Sequence, residues 1–406
     1  MKPVATSERL QILDALRGFA LLGILMVNFM IISWPSLWLD MLDLEHWQGL
    51  GNQIAIWLVH FVFENKFFSL FSFLFGIGFS VQWFKAKAEG TEFPAYYLKR
   101  QFILLGFGML HGLLLWPGDF LVLYAVQGMA LLLFRNCQTR TLLIWSAVFF
   151  LIPILLMASY YFASQSDPAM LAQLQTDFEQ QIRPDLLAHI QNSWNLYPNG
   201  SLAETAAIRL NDTGRFYASM PFWFWNSFAM FLLGLYVGKR QIFQNLDQHK
   251  ILIWRVLVMC GLLGLFGNVF FVKTLAEANV YVPNLATLLN ALFFPIAIPT
   301  MTLFYVALFC TLREAKFFQK ILQTLAPMGK IALSNYVMQS LIINVLLFSF
   351  GFGLYGQISP VLGLGVCLVI YFFQLWFSHW WTARHQFGPL EWVWRRLTYG
   401  KKVLHD

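Results

Sequence analysis

A histidine and an aspartate lie close together in an otherwise apolar part of this 406-residue chain. His111 lies about two helical turns before the Pro117-Gly118 dipeptide, and Asp119 follows directly. An imidazole titrates near neutrality, so it can accept and return a proton. We therefore interpret His111 as a candidate general base or nucleophile oriented by Asp119. The alternative is a buried histidine that is satisfied by Asp119 or by a backbone carbonyl.

A carboxylate and an arginine lie in the first apolar segment. On a helical wheel, Arg17 and Asn28 fall within about 60° of Asp14, so the three residues share one helix face. Ionisable groups within hydrocarbon are costly and are therefore candidates for function. The functional interpretation is an anion-binding arginine at a substrate entrance, and the structural one is an ion pair. Lys99 and Arg100 supply further cations at the beginning of the third apolar segment.

The polar triplet Glu64-Asn65-Lys66 interrupts the second apolar segment, residues 52–84. As one helix this segment would be roughly 50 Å long, whereas a hydrocarbon core is only about 30 Å thick. We expect a shorter helix before the triplet, interfacial or re-entrant, and a membrane span after it. Lys66 is a candidate to polarise a reacting carbonyl, with an interfacial Glu64–Lys66 pair as the alternative. His60 is interpreted as structural.

Two further groups of polar residues carry weaker signals. Asn335 and Gln339 are four residues apart and share a helix face, which suits either a cofactor site or hydrogen bonds between helices. The Asp, Glu and His side chains between residues 40 and 46 match no known metal-ligand spacing, so no metal is expected. The chain also lacks a Walker A loop and an HExxH motif, which excludes ATP-driven transport by this chain alone and zinc-protease chemistry.

The composition is that of a membrane protein, since 58% of the residues are hydrophobic and only 12% are charged. Soluble domains are about 45–50% apolar and about 25% charged. We predict an all-α polytopic membrane protein, a single domain over residues 1–406 with about ten transmembrane helices. The spans are predicted at 10–34, 52–84, 98–117, 119–135, 141–164, 216–238, 251–272, 285–311, 329–350 and 359–382.

The distribution of basic residues predicts the orientation. With the amino terminus in the cytoplasm, 20 of the 27 Lys and Arg residues fall on the cytoplasmic side and 4 fall outside. We therefore expect a multi-pass protein of the cytoplasmic (inner) membrane with both termini in the cytoplasm and no cleaved signal peptide. The one long connection, about 165–215, faces outward and contains an amphipathic helix near 168–193. A cytoplasmic interfacial segment is expected at about 384–406.

The segments that carry these residues resemble the YeiB-like bacterial membrane proteins, a family of unassigned function. The resemblance rests on residues 13–25, 66–76, 111–119, 332–340 and 388–398, so it runs nearly from end to end. That family is similar to membrane acyltransferases such as heparan-glucosaminide N-acetyltransferase. The resemblance implies transfer of an acyl group, such as acetyl, from cytoplasmic acyl-CoA to an extracytoplasmic hydroxyl or amine of a glycan or lipid.

The resemblance also bears on a second histidine. The lysosomal enzyme's active histidine stands in a His-x-x-Trp-x-Gly setting after the first span. The run Glu45-His46-Trp47-Gln48-Gly49 matches that setting only loosely, so His46 ranks below His111 as the base. The expected acyl-CoA contacts are Asp14, Arg17, Asn28, Lys99, Arg100, Asn335 and Gln339, and the expected catalytic residues are His111, Asp119, Lys66 and His46.

Two other classes of function stay open. A proton-coupled permease for a small solute or lipid would use Asp14, Glu64 and His111 as proton relay sites. A scaffold or sensor would use the connection 165–215 as its partner surface. The expected partners are membrane lipids, acyl-CoA and the acceptor, with a homodimer left open. Nucleic acid is not expected, because the net charge of +7 is scattered in short clusters and forms no single patch.

Overall fold

A computed structural model describes residues 10–400, without the side chains of Pro221 and Phe222, and every regular element in that range is helical. Lys2, Arg9, Lys401 and Lys402, which contribute to the predicted orientation, lie outside the described residues. The helices are α1 (Gln11–Ser33), α2 (Ser36–Met41), α3 (Leu50–Leu58), α4 (Lys66–Ala88), α5 (Phe93–Leu114), α6 (Leu121–Leu131), α7 (Thr139–Ser166), α8 (Pro168–Asp177), α9 (Arg183–Asn199), α10 (Leu202–Lys239), α11 (Lys250–Glu277), α12 (Leu285–Leu312), α13 (Lys316–Lys330), α14 (Ala332–Leu347), α15 (Pro360–Thr382) and α16 (Pro389–Tyr399).

The length and composition of the helices confirm an all-helical polytopic membrane protein. In the described part of the chain, six helices could cross a membrane: α1, α3 with α4, α7, α11, α12 and α15. Two bent helix pairs could each add one more span, which would raise the number to eight. One pair is the two halves of α10, and the other is α13 with α14, which are bent by 79° relative to each other. The other two predicted spans correspond to α5 and the short α6. The count of ten and the cytoplasmic placement of both termini therefore stay predictions.

The predicted interruption of the second apolar segment lies at the expected triplet. Helix α3 continues into a π-helical turn, Val59–Phe63, and α4 begins at Lys66 after Asn65, whose φ is 62°. The two parts together form one broken candidate span of 39 residues, Leu50–Ala88. A shorter helix therefore precedes the triplet and a longer one follows it, as expected, while the interfacial or re-entrant placement of the first part stays a prediction.

Helix α1 lies at the centre and packs against α4, α13, α14 and α15. Its approach to α13 requires glycine on both sides. A Cβ on Gly18 would collide with the carbonyl of Leu325, and a Cβ on Gly329 would collide with the carbonyl of Asp14. Small residues let helix backbones come this close, so α1 is held in the bundle by backbone-to-backbone packing.

The connection predicted over 165–215 is helical for most of its length. Asp167 caps α8 by accepting hydrogen bonds from the backbone N–H groups of Ala169 and Met170. Ser201 and Glu204 form a capping box at the beginning of α10. Helices α8 and α9 cover the predicted amphipathic segment 168–193, and α9 packs against α2 and α10 at one end of the bundle.

The carboxy-terminal helix α16 is amphipathic and fastens two other helices. The Glu391 carboxylate accepts hydrogen bonds from the backbone N–H groups of Leu333 (2.8 Å) and Ser334 (3.1 Å), and from the Ser334 hydroxyl (2.5 Å). It therefore caps the first turn of α14 from another helix, where a negative charge is favoured. Trp394 donates from Nε1 to the carbonyl of Arg100 in α5 (3.0 Å).

This cap yields a prediction about stability. Replacing Glu391 by alanine leaves two buried backbone donors of α14 without an acceptor, which costs about 1–3 kcal/mol each. We expect Glu391→Ala to lower the midpoint of thermal unfolding of the detergent-solubilised protein, measured by tryptophan fluorescence. The control is Glu277→Ala, since Glu277 is an exposed residue at the end of α11. An equal midpoint for both variants would contradict the capping role.

Candidate substrate cavity

One cavity of about 1520 Å³ extends through the interior of the bundle beside α1. Its lining on α1 runs from Leu13 to Ile32, which at 1.5 Å per residue is about 28 Å. This length is close to the thickness of a hydrocarbon core, about 30 Å. The cavity therefore connects the two ends of the bundle.

The two ends of the cavity differ in charge. We call the end near the amino terminus of α1 the basic mouth, lined by Asp14, Arg17, Arg100, Lys330, Glu391 and Arg395. We call the other end the acidic vestibule, lined by Asp40, Asp43, Glu45, His46, His60, Glu64, Asp212 and Arg215. An aromatic waist joins them, lined by Phe67, Phe68, Phe71, Phe75, Tyr124 and Tyr336.

The basic mouth holds its cations in defined positions. Arg17 donates from Nη1 to Asp14 Oδ1 at 2.6 Å, which is the ion pair that the shared helix face allows. The Arg17 side chain is still 28% exposed, so it can also contact a ligand. The guanidinium of Arg100 lies 3.8 Å from the centre of the Trp394 ring. Cations outnumber carboxylates here, so the mouth suits an anionic ligand.

A histidine–carboxylate pair faces the vestibule at the helix break. His60 Nδ1 and Glu64 Oε2 are in direct hydrogen-bond contact, and the two side chains are 26% and 23% exposed. A histidine that is oriented by a carboxylate is the arrangement of a general base. Asp40 also lines the vestibule, within electrostatic range of this pair, and desolvation by the surrounding protein raises the pKa of its carboxyl to about 6.

The break that positions this pair is held by hydrogen bonds. The π turn leaves the carbonyl groups of His60 and Val62 without their usual helical donors. Lys66 Nζ donates to the His60 carbonyl at 2.6 Å, and the Tyr305 hydroxyl donates to the Val62 carbonyl at 2.9 Å. Thr302 then donates to the Lys66 carbonyl at 2.9 Å, where α4 begins. Lys66 itself is completely buried, so its ammonium serves the backbone and does not face the cavity.

A further carboxylate in the vestibule comes from the connection helices. Asp212 of α10 lies 2.6 Å from His189 Nε2 and accepts a hydrogen bond from the Tyr197 hydroxyl at 2.5 Å. The His189 ring in turn packs edge-on against Trp38. Helices α9 and α10 thus form one wall of the vestibule together with α2.

His111, the first-ranked base, does not face this cavity. Its Nδ1 lies 2.8 Å from Asp119 Oδ1, as the sequence predicts, and its Nε2 lies 2.9 Å from the Ser340 hydroxyl. All three side chains are at least 97% buried, and none of them lines the cavity. The neighbouring residues Trp116 and Tyr336 do line it. The order Asp–His–Ser is that of a catalytic triad, but here it lies sealed within the cavity wall.

The structure places the other predicted site residues in different surroundings. Asn28 and His46 line the cavity, and His46 packs against the rings of Trp47 and Trp194. Partial burial lowers the pKa of His46. Lys99 is exposed on the surface and lies off the cavity lining.

The two carboxy-terminal amides form hydrogen bonds between helices. Asn335 donates to Ser378 Oγ at 2.9 Å, and Gln339 donates to Gln374 Oε1 at 2.8 Å. Gln374 donates back to the Asn335 carbonyl at 2.8 Å, so α14 and α15 are tied together. Neither Asn335 nor Gln339 lines the cavity.

Two features of the site escape the sequence interpretation. His60 was expected to be structural, although its four-residue spacing from Glu64 already allows the pair on one helix face. Asp212 and His189 are 23 residues apart in different helices, and no sequence signal joins them. Among residues 10–400, no group of three or more His, Cys, Asp or Glu side chains could hold a metal ion.

Comparison with known proteins gives the family. The profile of the family described as "Protein of unknown function (DUF418)" matches residues 237–401. The uncharacterized protein YxaH of Bacillus subtilis (strain 168) is 30% identical over 98% of this chain and 96% of its own length. The uncharacterized protein YeiB of Escherichia coli (strain K12) is 25% identical over 96% of both chains. The chain belongs to the YeiB-like (DUF418) family. No solved structure matches it.

In this YeiB-like protein, the profile-matched region includes helices α11 to α16 and therefore the Glu391 cap. It also includes Ser340, whereas His111 and Asp119 lie before it. The buried Asp119–His111–Ser340 cluster thus ties α14 of the matched region to the α5–α6 hairpin.

We predict a structural role for this cluster. Ser340→Ala removes a buried partner of the His111 ring, which costs about 1–3 kcal/mol. We expect a lower thermal midpoint, with Ser166→Ala as the control because Ser166 is exposed. Ser340 in the wild-type protein should not react with a fluorophosphonate probe, since nothing connects it to the cavity. Covalent labelling of Ser340, mapped by mass spectrometry, would show instead that it is an accessible nucleophile.

Proposed function

We propose that this protein is a membrane acyltransferase that moves an acyl group from acyl-CoA at the basic mouth to an acceptor in the acidic vestibule. The supporting observation is the cavity itself. It runs from a cationic end past a histidine–carboxylate pair, and its lining on α1 extends over a length close to the thickness of a hydrocarbon core. A donor and an acceptor on opposite sides of a membrane need such a connection.

The basic mouth suits the phosphates of coenzyme A. Arg17, Arg100 and Lys330 line it on three different helices, so they can surround an anionic group. Arginine is well suited to phosphate because its planar fork donates several hydrogen bonds. The flexible, mostly uncharged arm that carries the thioester would lie along the aromatic waist. In this assignment the protein lies in the inner membrane and its basic mouth opens to the cytoplasm, which is the side that the distribution of basic residues predicts.

His60, oriented by Glu64, takes the role of general base in place of His111. The acceptor oxygen or nitrogen attacks the thioester carbon, and its proton passes to His60. The carbon–sulfur bond then breaks, and the proton on His60 passes to the departing thiolate. Asn28 lines the cavity and can donate its amide N–H to the thioester oxygen as negative charge develops there. Lys66, the other predicted candidate, is engaged with the His60 carbonyl.

A proton-coupled permease is the second candidate, and one observation favours it. Many transporters bind their substrates where a membrane helix is discontinuous. Here the broken span Leu50–Ala88 carries the His60–Glu64 pair at its break. Uptake of a solute into proteoliposomes under a pH gradient, lost in Glu64→Gln, would favour this candidate over acyl transfer.

Binding of the donor is the direct test. We expect purified protein in nanodiscs to bind acetyl-CoA, with a dissociation constant that rises about tenfold to hundredfold in Arg17→Ala. A hydrogen bond to a charged group contributes about 1.5–3 kcal/mol, and 1.4 kcal/mol corresponds to a factor of ten. Arg140→Ala is the matched control, since Arg140 is exposed and off the cavity. Absence of acetyl-CoA binding by the wild-type protein would count against the proposal.

The assignment of the base gives a kinetic prediction. Removing a general base costs about 10²–10⁴ in rate, so we expect His60→Gln to slow acyl transfer by that factor and leave acetyl-CoA affinity unchanged. Transfer is measured with radiolabelled acetyl-CoA and a membrane lipid extract as the acceptor. His46→Gln tests the other vestibule histidine, and His385→Gln is the control, because His385 is exposed and off the cavity. A full rate in His60→Gln with loss in His46→Gln would reassign the base.

A further inference from the structure

Part of the cavity lining beside the acidic vestibule is largely apolar, and four of its side chains, Trp223, Phe271, Leu275 and Phe294, pack in one cluster. Besides the central helices, the cavity lining includes side chains of the peripheral helices α7, α11 and α12 and of the middle of α10. We call this part the apolar arm, lined by Met157, Ala218, Trp223, Phe271, Leu275 and Phe294. None of these six side chains is charged, in contrast to the vestibule that the arm joins.

The arm meets the vestibule at the helix break. Phe271 lines the arm, and its ring centre lies 5.4 Å from the buried ammonium of Lys66. Lys66 holds the His60 carbonyl, and the His60 side chain faces the vestibule. A molecule that occupies the arm would therefore have one end close to the His60–Glu64 pair.

The arm lies at the same end of the bundle as the vestibule. Leu275 is in the last turn of α11, which ends at Glu277, and Phe294 is in the third turn of α12, which begins at Leu285. Tyr281, in the short connection between these two helices, also lines the cavity. The Tyr160 hydroxyl of α7 donates to the Tyr281 carbonyl at 2.9 Å, so α7 closes against this connection.

The helices around the arm border the lipid. Leu155 of α7 is 65% exposed and Phe266 of α11 is 57% exposed, and both residues lie within candidate membrane spans. Apolar side chains exposed on such helices face hydrocarbon. The arm is thus an apolar space at the rim of the bundle, one helix layer from the bilayer, and it leads to a polar pocket.

We infer that the apolar arm holds the hydrocarbon chain of a membrane lipid, so that the acceptor of the proposed acyl transfer is a lipid. The role of this lipid as the acceptor rests on the proposed function, whereas the lipid site itself does not. The vestibule carries five carboxylates in its lining and Arg215 as its one non-titrating cation. The head group that fits is therefore neutral or amine-bearing, with a free hydroxyl or amine, as in a glycolipid, and not an anionic phosphate head.

A soluble sugar does not account for the arm. It could contact the carboxylates of the vestibule, and also Trp38 and Trp47, which line the cavity too, but it would leave the arm empty. An amphiphile fills both parts, because burying each CH₂ group contributes about 0.8 kcal/mol. The polar head would then stand beside His60, where a proton can be removed from it.

Photo-crosslinking tests this inference on the full-length protein in nanodiscs. The probe is an alkyl glucoside with a diazirine in its alkyl chain, and the labelled peptides are mapped by mass spectrometry. Ala291 also lines the cavity, about one helical turn before Phe294. We expect labelling in 271–275 and 291–294, and a severalfold loss in Ala218→Trp and in Ala291→Trp, since each indole would fill the arm. Ala147→Trp, on the exposed face of α7, is the control and should not change the labelling.

The outcomes separate the two proposals. Labelling of the arm that Ala218→Trp and Ala291→Trp abolish supports the lipid site, whatever the result for acetyl-CoA. Labelling that is equal in all variants, or confined to exposed helix faces, overturns the lipid site. Equal labelling by a diazirine-tagged phosphatidylglycerol overturns the head-group assignment. Acetyl-CoA binding is measured on the same samples, so failure of the acyltransferase proposal appears there and not in the labelling.

Discussion

A helix that breaks inside a membrane leaves backbone carbonyl groups that lipid cannot satisfy, and each one costs several kcal/mol unless the protein supplies a donor. In this protein, Lys66 and Tyr305 supply those donors to the carbonyls of His60 and Val62. The break can therefore persist, and with it the turn that presents His60 and Glu64 to the cavity. Lys66 has two effects here, since its ammonium holds the backbone while its own burial keeps it away from any ligand.

The cavity gains its polarity from this arrangement and from the two ends of α1. At the basic mouth, Asp14 orients Arg17, and Trp394 supports Arg100. At the vestibule, carboxylates from α2 and α10 line the cavity together with the His60–Glu64 pair. Between them the aromatic waist offers no charge. An asymmetric, membrane-deep cavity of this kind suits a donor molecule with an anionic end and a long, mostly uncharged chain. It also suits a second, amphiphilic molecule whose hydrocarbon chain occupies the apolar arm.

Two polar clusters that resemble functional sites form hydrogen bonds that hold helices together instead. Asp119, His111 and Ser340 are hydrogen-bonded to one another behind the cavity wall, and Asn335, Gln339 and Gln374 are hydrogen-bonded to one another between α14 and α15. Within hydrocarbon, a polar group that finds its partners inside the protein costs little, whereas one that faces a cavity stays available to a ligand. Whether a buried polar residue is structural or a candidate for chemistry therefore depends on whether its side chain points into the protein or into the cavity.

The sequence alone determined the class of fold, the interruption at Glu64-Asn65-Lys66 and the Asp14–Arg17 pair, because hydropathy and helical spacing are local properties. It also determined the proximity of His111 and Asp119, which are eight residues apart. Only the tertiary structure decided that His60 faces the cavity and His111 does not. The partner that seals His111 is Ser340, 229 residues away. The helix that covers one side of the vestibule is α9, from the long connection. Burial depends on such distant contacts, and no local pattern of residues encodes them.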